Sequence, residues 1–122
     1  MIRLRTVSLA LVAAACLFTT GSATAADPPP AFAPCKACHA IVADKNMVGP
    51  SLFGVYGRKA GTLPSFIKYS SELKSWNMTL SDGGLDTWLT NPKAISPKTV
   101  MSVRVADPAA RTSLILFLQA LK

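Results

Sequence analysis

Cys35-Lys36-Ala37-Cys38-His39 constrains this chain more than any other stretch. Cysteines at i and i+3 on one helical turn share a face, so both sulfurs can reach the same flat ligand, and the histidine lies beside them. Thioether bonds to the two vinyl groups along one haem edge, with His39 beneath the iron, satisfy that spacing. Other uses of Cys-x-x-Cys need partners that are missing. A zinc site needs two more soft ligands, yet beyond residue 25 the chain has no further cysteine, and His39 is its single histidine. A thioredoxin-like dithiol sits in a βαβ surround, and no strand pattern accompanies this pair. The motif therefore predicts one covalent haem c, attached at Cys35 and Cys38, with His39 as an iron ligand.

Covalent attachment to this motif takes place outside the cytoplasm in bacteria, and the start of the chain agrees. Arg3 and Arg5 precede an apolar run from Val7 to Phe18, too short to span a bilayer but suited to a signal-peptide core. Ala23-Thr24-Ala25 offers the small-x-small pattern read by signal peptidase. Residues 1–25 are expected to be a leader cleaved after Ala25 or Ala26, with 26–122 forming one domain. A retained anchor would need a longer apolar run. Cys16 faintly suggests a lipoprotein box, but the apolar core continues past it through Leu17 and Phe18. The expected product is exported, periplasmic or similar, with no integral membrane span.

That product has about 96 residues, near the size where one core is marginal unless something extra is buried in it. Without Arg3 and Arg5, eleven basic residues stand against six acidic ones, a net charge of about +5 with His39 neutral. The charges are scattered, with no basic run and few interleaved aromatics, which argues against nucleic acid. Acidic redox partner proteins fit better.

Periodicity along the chain is sparse. A short helix is expected from Pro29 or Pro30 into the cysteine motif, limited by Pro34, whose ring crowds the carbonyl four residues back. From Ala43 to Ser71 glycines and prolines punctuate a succession of turns. A loop that long in so small a domain needs a large apolar group to wrap. Ser70 to Trp76 suggests a short helix, and Ser81 an N-cap for another that carries Leu85, Trp88 and Leu89 on one face and ends at Pro92. Asp107-Pro108 opens the clearest helix, with Leu114, Phe117, Leu118 and Leu121 on one stripe. The reading is all-α, with three to five short helices and long loops around one haem.

From Phe32 to Leu121 the chain resembles the class I c-type cytochromes. The resemblance rests on the Cys35–His39 motif and on Val48-Gly49-Pro50-Ser51-Leu52-Phe53-Gly54 running into Gly57-Arg58. It rests also on Asn91-Pro92, on Pro97-Lys98-Thr99-Val100-Met101 and on the final helix. It implies the cytochrome c-like fold and one-electron transfer through a His/Met-ligated haem. It also implies Met101 as the distal ligand through its thioether sulfur, and the Pro50 carbonyl as acceptor for the second nitrogen of His39. Arg58 and Tyr69 match positions near the haem propionates, and Phe117 is expected to pack the last helix across the first. The family's propionate-binding tryptophan falls at Leu80, four residues after Trp76, so Trp76 stands either as its replacement or as core. Lys98 occupies a customary glycine position, and Val103 a customary aromatic one.

Met101 also has a case of its own. Among Met47, Met78 and Met101, only Met101 follows a Pro-x-Thr segment able to hold an extended loop over the ring, and no second histidine competes. The alternative for any methionine is core filler. With both axial positions filled, the iron changes little between oxidation states, as a carrier requires. Lys36, Lys93 and Lys98 flank the haem-binding segments and are expected either to form a basic rim or to be ordinary solvated lysines. A monomeric carrier between periplasmic redox proteins is the leading expectation. The rivals are a haem subunit of a larger dehydrogenase or oxidase, and a five-coordinate haem enzyme or gas sensor.

Overall fold

The computed structural model describes residues 26–122, together with Gly21. The expected leader, 1–25, lies otherwise outside the described residues. The elements run as a 3-10 helix, Pro30–Ala37, then four α-helices: α1 (Ser71–Ser75), α2 (Asp82–Thr90), α3 (Pro92–Ile95) and α4 (Pro108–Ala120). Among the described residues there is no strand, only an isolated antiparallel bridge between Lys59 and Thr79.

The first helix is wound tightly because Pro34 lies inside it and has no N–H to offer a carbonyl behind. Its end-bonds are short-range, Phe32 N–H to Pro29 O at 2.9 Å and Cys38 N–H to Cys35 O at 3.2 Å. In α4, Pro108 occupies the first turn and the Asp107 carboxylate accepts the Ala109 N–H at 3.1 Å, as its Asp-Pro start predicts. Ser70 caps α1 by accepting the Leu73 N–H at 3.2 Å. Ser81 precedes α2 as expected, but its side chain makes no capping bond. Pro92 does more than end α2. Its fixed φ and missing N–H suit a first helical position equally well, and it opens the single turn α3.

The core gathers at the crossing of the first helix, α2 and α4. Leu114, Phe117 and Leu118 of α4 are buried against Phe32, Leu85 and Leu89, and Leu121 packs on the edge. Phe32 and Phe117 meet edge to face, 5.0 Å between centroids at 62°, so the last helix does cross the first. Asp86 and Arg111 tie α2 to α4 at 2.6 Å, while the same guanidinium donates to the Val105 and Ala106 carbonyls, each at 2.9 Å. The long stretch between the first helix and α1 has no regular element; it adds Val55 to the core, with Leu52 and Tyr56 packed against it.

Candidate haem site

The 3-10 helix delivers Cys35 and Cys38 to the wall of a cavity of about 550 Å3, and His39 follows from the next turn. Neither cysteine is in a disulfide. Cys35 is buried, which pushes its thiol pKa upward, and Cys38 is half-buried. Burial lowers the pKa of His39, and the hydrogen bond to Pro50 opposes that in part. Burial thus favours the neutral ring, the form that binds metal. Its Nδ1–H donates to the Pro50 carbonyl at 2.7 Å, which leaves the lone pair of Nε2 as the available donor.

The loop bearing Pro50 lies against the ring. Gly49 donates its N–H to the Cys38 carbonyl at 2.9 Å, and Leu52 donates to Ala40 at 2.9 Å, so the loop is pinned on both sides of Pro50. The approach at Gly49 is so close that a Cβ there would collide with the imidazole, at 2.8 Å from Nδ1 and 2.9 Å from Nε2. Glycine is required here by contact alone.

Met101 lines the same cavity from the segment before α4, half-buried. Its N–H donates to the Thr99 hydroxyl at 3.2 Å, and the Thr99 N–H in turn donates to the Ser96 carbonyl at 3.0 Å. Ser96 is fully buried, with its hydroxyl paired to that of Ser70 at 2.7 Å. The segment that carries Met101 is thus latched to the start of α1.

Of the other residues singled out from sequence, Arg58 and Tyr69 both line the cavity. Arg58 is fixed by donating from Nη2 to the Phe53 carbonyl at 2.7 Å, and Tyr69 packs edge to face on Phe66 at 4.8 Å. Trp76 does not line the cavity. It packs on Trp88, centroids 6.1 Å apart, and Trp88 is the tryptophan on the wall. Of the three flanking lysines, Lys98 borders the cavity, whereas Lys36 and Lys93 do not; Lys59 and Lys68 join Lys98 there. Those two gave no sequence signal, because they sit on the turn-rich stretch where nothing periodic assigns a face.

The residues fit a haem. The cavity lies within the ~300–1,000 Å3 typical of cofactor sites, and its wall is largely apolar, from Phe32, Val55, Leu85 and Leu114 among others. Two thiols, one neutral imidazole and one thioether are its soft donors, a set suited to covalent haem and iron. Among the described residues no cluster of three or more His, Cys, Asp or Glu could hold a metal ion instead.

No protein-family model matches the chain. Known proteins do. The chain is 45% identical over 98 residues to cytochrome c2 iso-1 of Magnetospirillum molischianum, covering 78% of this chain and 97% of that one. It is 36% identical over 120 residues to cytochrome c2 of Rhodomicrobium vannielii, covering 94% and 95%. Among solved structures, cytochrome cH from Methylobacterium extorquens superposes with a TM-score of 0.66 at 41% identity, over 73% of this chain and 90% of that one. With the cavity walled by Cys35, Cys38 and His39, and with likeness along nearly the whole length of these relatives, the chain belongs to the class I cytochromes c of the c2 type, electron carriers that bind one covalent haem c.

Proposed function

We propose that residues 26–122 act as a freely diffusing one-electron carrier, with the haem attached at Cys35 and Cys38 and its iron held between His39 and Met101. The haem supplies one-electron exchange between the ferric and ferrous states. His39 presents Nε2 while Pro50 holds the opposite nitrogen and raises the ring's basicity. Met101 supplies a polarisable sulfur that favours the reduced state, as does the apolar wall. Arg58 and Tyr69 serve the propionate edge. With His39 and Met101 both holding the iron, no donor position would be left for a substrate, and the chain would serve as a carrier and not as an enzyme.

The observation that carries this reading is that His39 and Met101 line one cavity, with the His39 ring already oriented by its bond to Pro50. The decisive experiment is Met101→Ala in the purified holoprotein. The ferric sulfur-to-iron absorption band should disappear, and carbon monoxide should bind the reduced variant but not the parent. A persisting band, or carbon monoxide binding by the parent, overturns the ligand assignment and favours a five-coordinate enzyme or sensor.

The carrier is proposed to work as a monomer in the periplasm after loss of residues 1–25. A match over 97% of the Magnetospirillum relative leaves about a fifth of this chain uncovered, the size of the expected leader. No helix of the described residues is long and apolar enough to cross a membrane. Mass spectrometry of the exported protein should give an N-terminus at Ala26 or Asp27; a retained leader would contradict export with cleavage. Docking is proposed to use Lys59, Lys68 and Lys98 against an acidic partner surface, since these cations border the cavity mouth.

A further inference from the structure

We propose that Asn46 tunes the reduction potential by acting on His39 through the peptide group that joins Pro50 to Ser51. The proposal rests on the reading that His39 binds the haem iron. The two ends of that single peptide group are engaged in opposite directions. Its carbonyl oxygen, on Pro50, accepts the His39 Nδ1–H at 2.7 Å. Its N–H, on Ser51, donates to Asn46 Oδ1 at 2.9 Å.

Asn46 is itself oriented for this task. Its Nδ2 donates to the Ser65 carbonyl at 2.9 Å and to the Ser65 hydroxyl at 3.1 Å, so the amide has one sense only, with oxygen toward Ser51. Ser51 cannot swing away, since its buried hydroxyl donates to the Val42 carbonyl at 2.5 Å and accepts the Phe53 N–H at 3.2 Å.

Hydrogen bonds in series polarise one another. An acceptor on the Ser51 N–H draws the amide toward its charge-separated form and places more electron density on the Pro50 oxygen. A stronger acceptor there gives His39 more imidazolate character, makes it a better donor, and stabilises ferric iron relative to ferrous. Asn46 therefore holds the potential down. It is a positioning residue two hydrogen bonds removed from the ligand. It is not what holds the loop in place: Gly49 N–H to Cys38 O and Leu52 N–H to Ala40 O, both 2.9 Å, pin the segment without it.

The sign of the effect separates this role from a merely structural one. Losing the polarising bond raises the potential. Loosening the loop and admitting water lowers it, because water favours the more highly charged ferric state. In the holoprotein, Asn46→Ala should shift the ferric/ferrous equilibrium about three- to ten-fold toward ferrous, where ten-fold is 59 mV for one electron. The His39 Nδ1 proton of the reduced protein should move upfield in its NMR spectrum, and the ferric sulfur band should remain. An unchanged or lowered potential overturns the proposal.

Asn46→Asp keeps an acceptor on the Ser51 N–H and should leave the potential at or below that of the parent; a rise there overturns the proposal even where Asn46→Ala fails to accumulate. A His39→Ala variant that retained the parent's low-spin spectrum would overturn the ligation and the proposal together. A parent with His39-dependent low-spin haem but no upward shift in Asn46→Ala would overturn the proposal alone.

Discussion

Gly49 has no room for a methyl group, and the obstacle is the imidazole of His39. Gly49→Ala should therefore cost about 1–3 kcal/mol of stability, as overpacking does. Denaturant unfolding of the holoprotein would measure it, together with a disturbed His39 environment by NMR. Tyr56 offers a separate check. Its hydroxyl donates to Asp82 at 2.9 Å, and that bond, before any other cause, raises its pKa above the usual phenol value near ~10. The contribution to stability is present below the unfolded-state pKa and is lost as pH rises through the folded one. Asp82→Asn should bring the tyrosinate transition back toward the ordinary value in an absorbance titration, with Tyr56→Phe identifying it. At this scale the sequence is most legible where chemistry is local. Cys35, Cys38 and His39 announce themselves because their spacing by itself points to one chemistry. Pro50, Arg58 and Tyr69 were reached only through family resemblance, and all three line the cavity. Asn46 was invisible, since its partners Ser51 and Ser65 lie on turns without a period to bring them into register.

α4 supplies four of the eleven buried apolar side chains among the described residues, more than any other element, and its signals were all local. Asp107→Ala removes a cap and should cost about 1 kcal/mol, whereas Phe117→Ala empties the space against Phe32 and should cost about 3–5 kcal/mol, both by thermal unfolding. Ser96→Ala tests the latch between the Met101 segment and α1. It removes the bond between the two hydroxyls and leaves Ser70 Oγ only the Leu73 N–H, which should cost about 1 kcal/mol and weaken the ferric sulfur band at lower temperature than in the parent. α3 was not foreseen because a proline after a helix reads as a stop, while the same ring is well formed for starting a new turn. Trp76 was left between two roles by counting alone. The pairing with Trp88 joins the end of α1 to α2 through a tertiary contact, which residue spacing does not encode.

Charge distribution belongs to the molecule as a whole. Lys59, Lys68 and Lys98 border the cavity, while Asp82 and Asp86 sit on α2 and Asp107 at the head of α4. Lys98→Glu and Lys122→Glu change the net charge equally, but only the first alters the cavity rim. Stopped-flow association with an acidic redox partner should slow several-fold more for Lys98→Glu, and the difference should shrink as salt rises. The global architecture was legible through an absence: a long turn-rich stretch in a small domain made sense only if wound around a large apolar group. That same stretch hid the detail of the wall, because turns specify direction and not which side chains face inward. The meeting of Phe32 and Phe117 has a further consequence. These rings stand near opposite ends of the domain, so joining them closes almost the whole chain into one loop, an entropic cost borne before the contact is rewarded. The first helix gains its contact with Phe117 only once the last helix is in place. Cys35 shares the helix of Phe32, so the segment that bears the cysteine motif is fixed by a contact of nearly the longest range this domain offers.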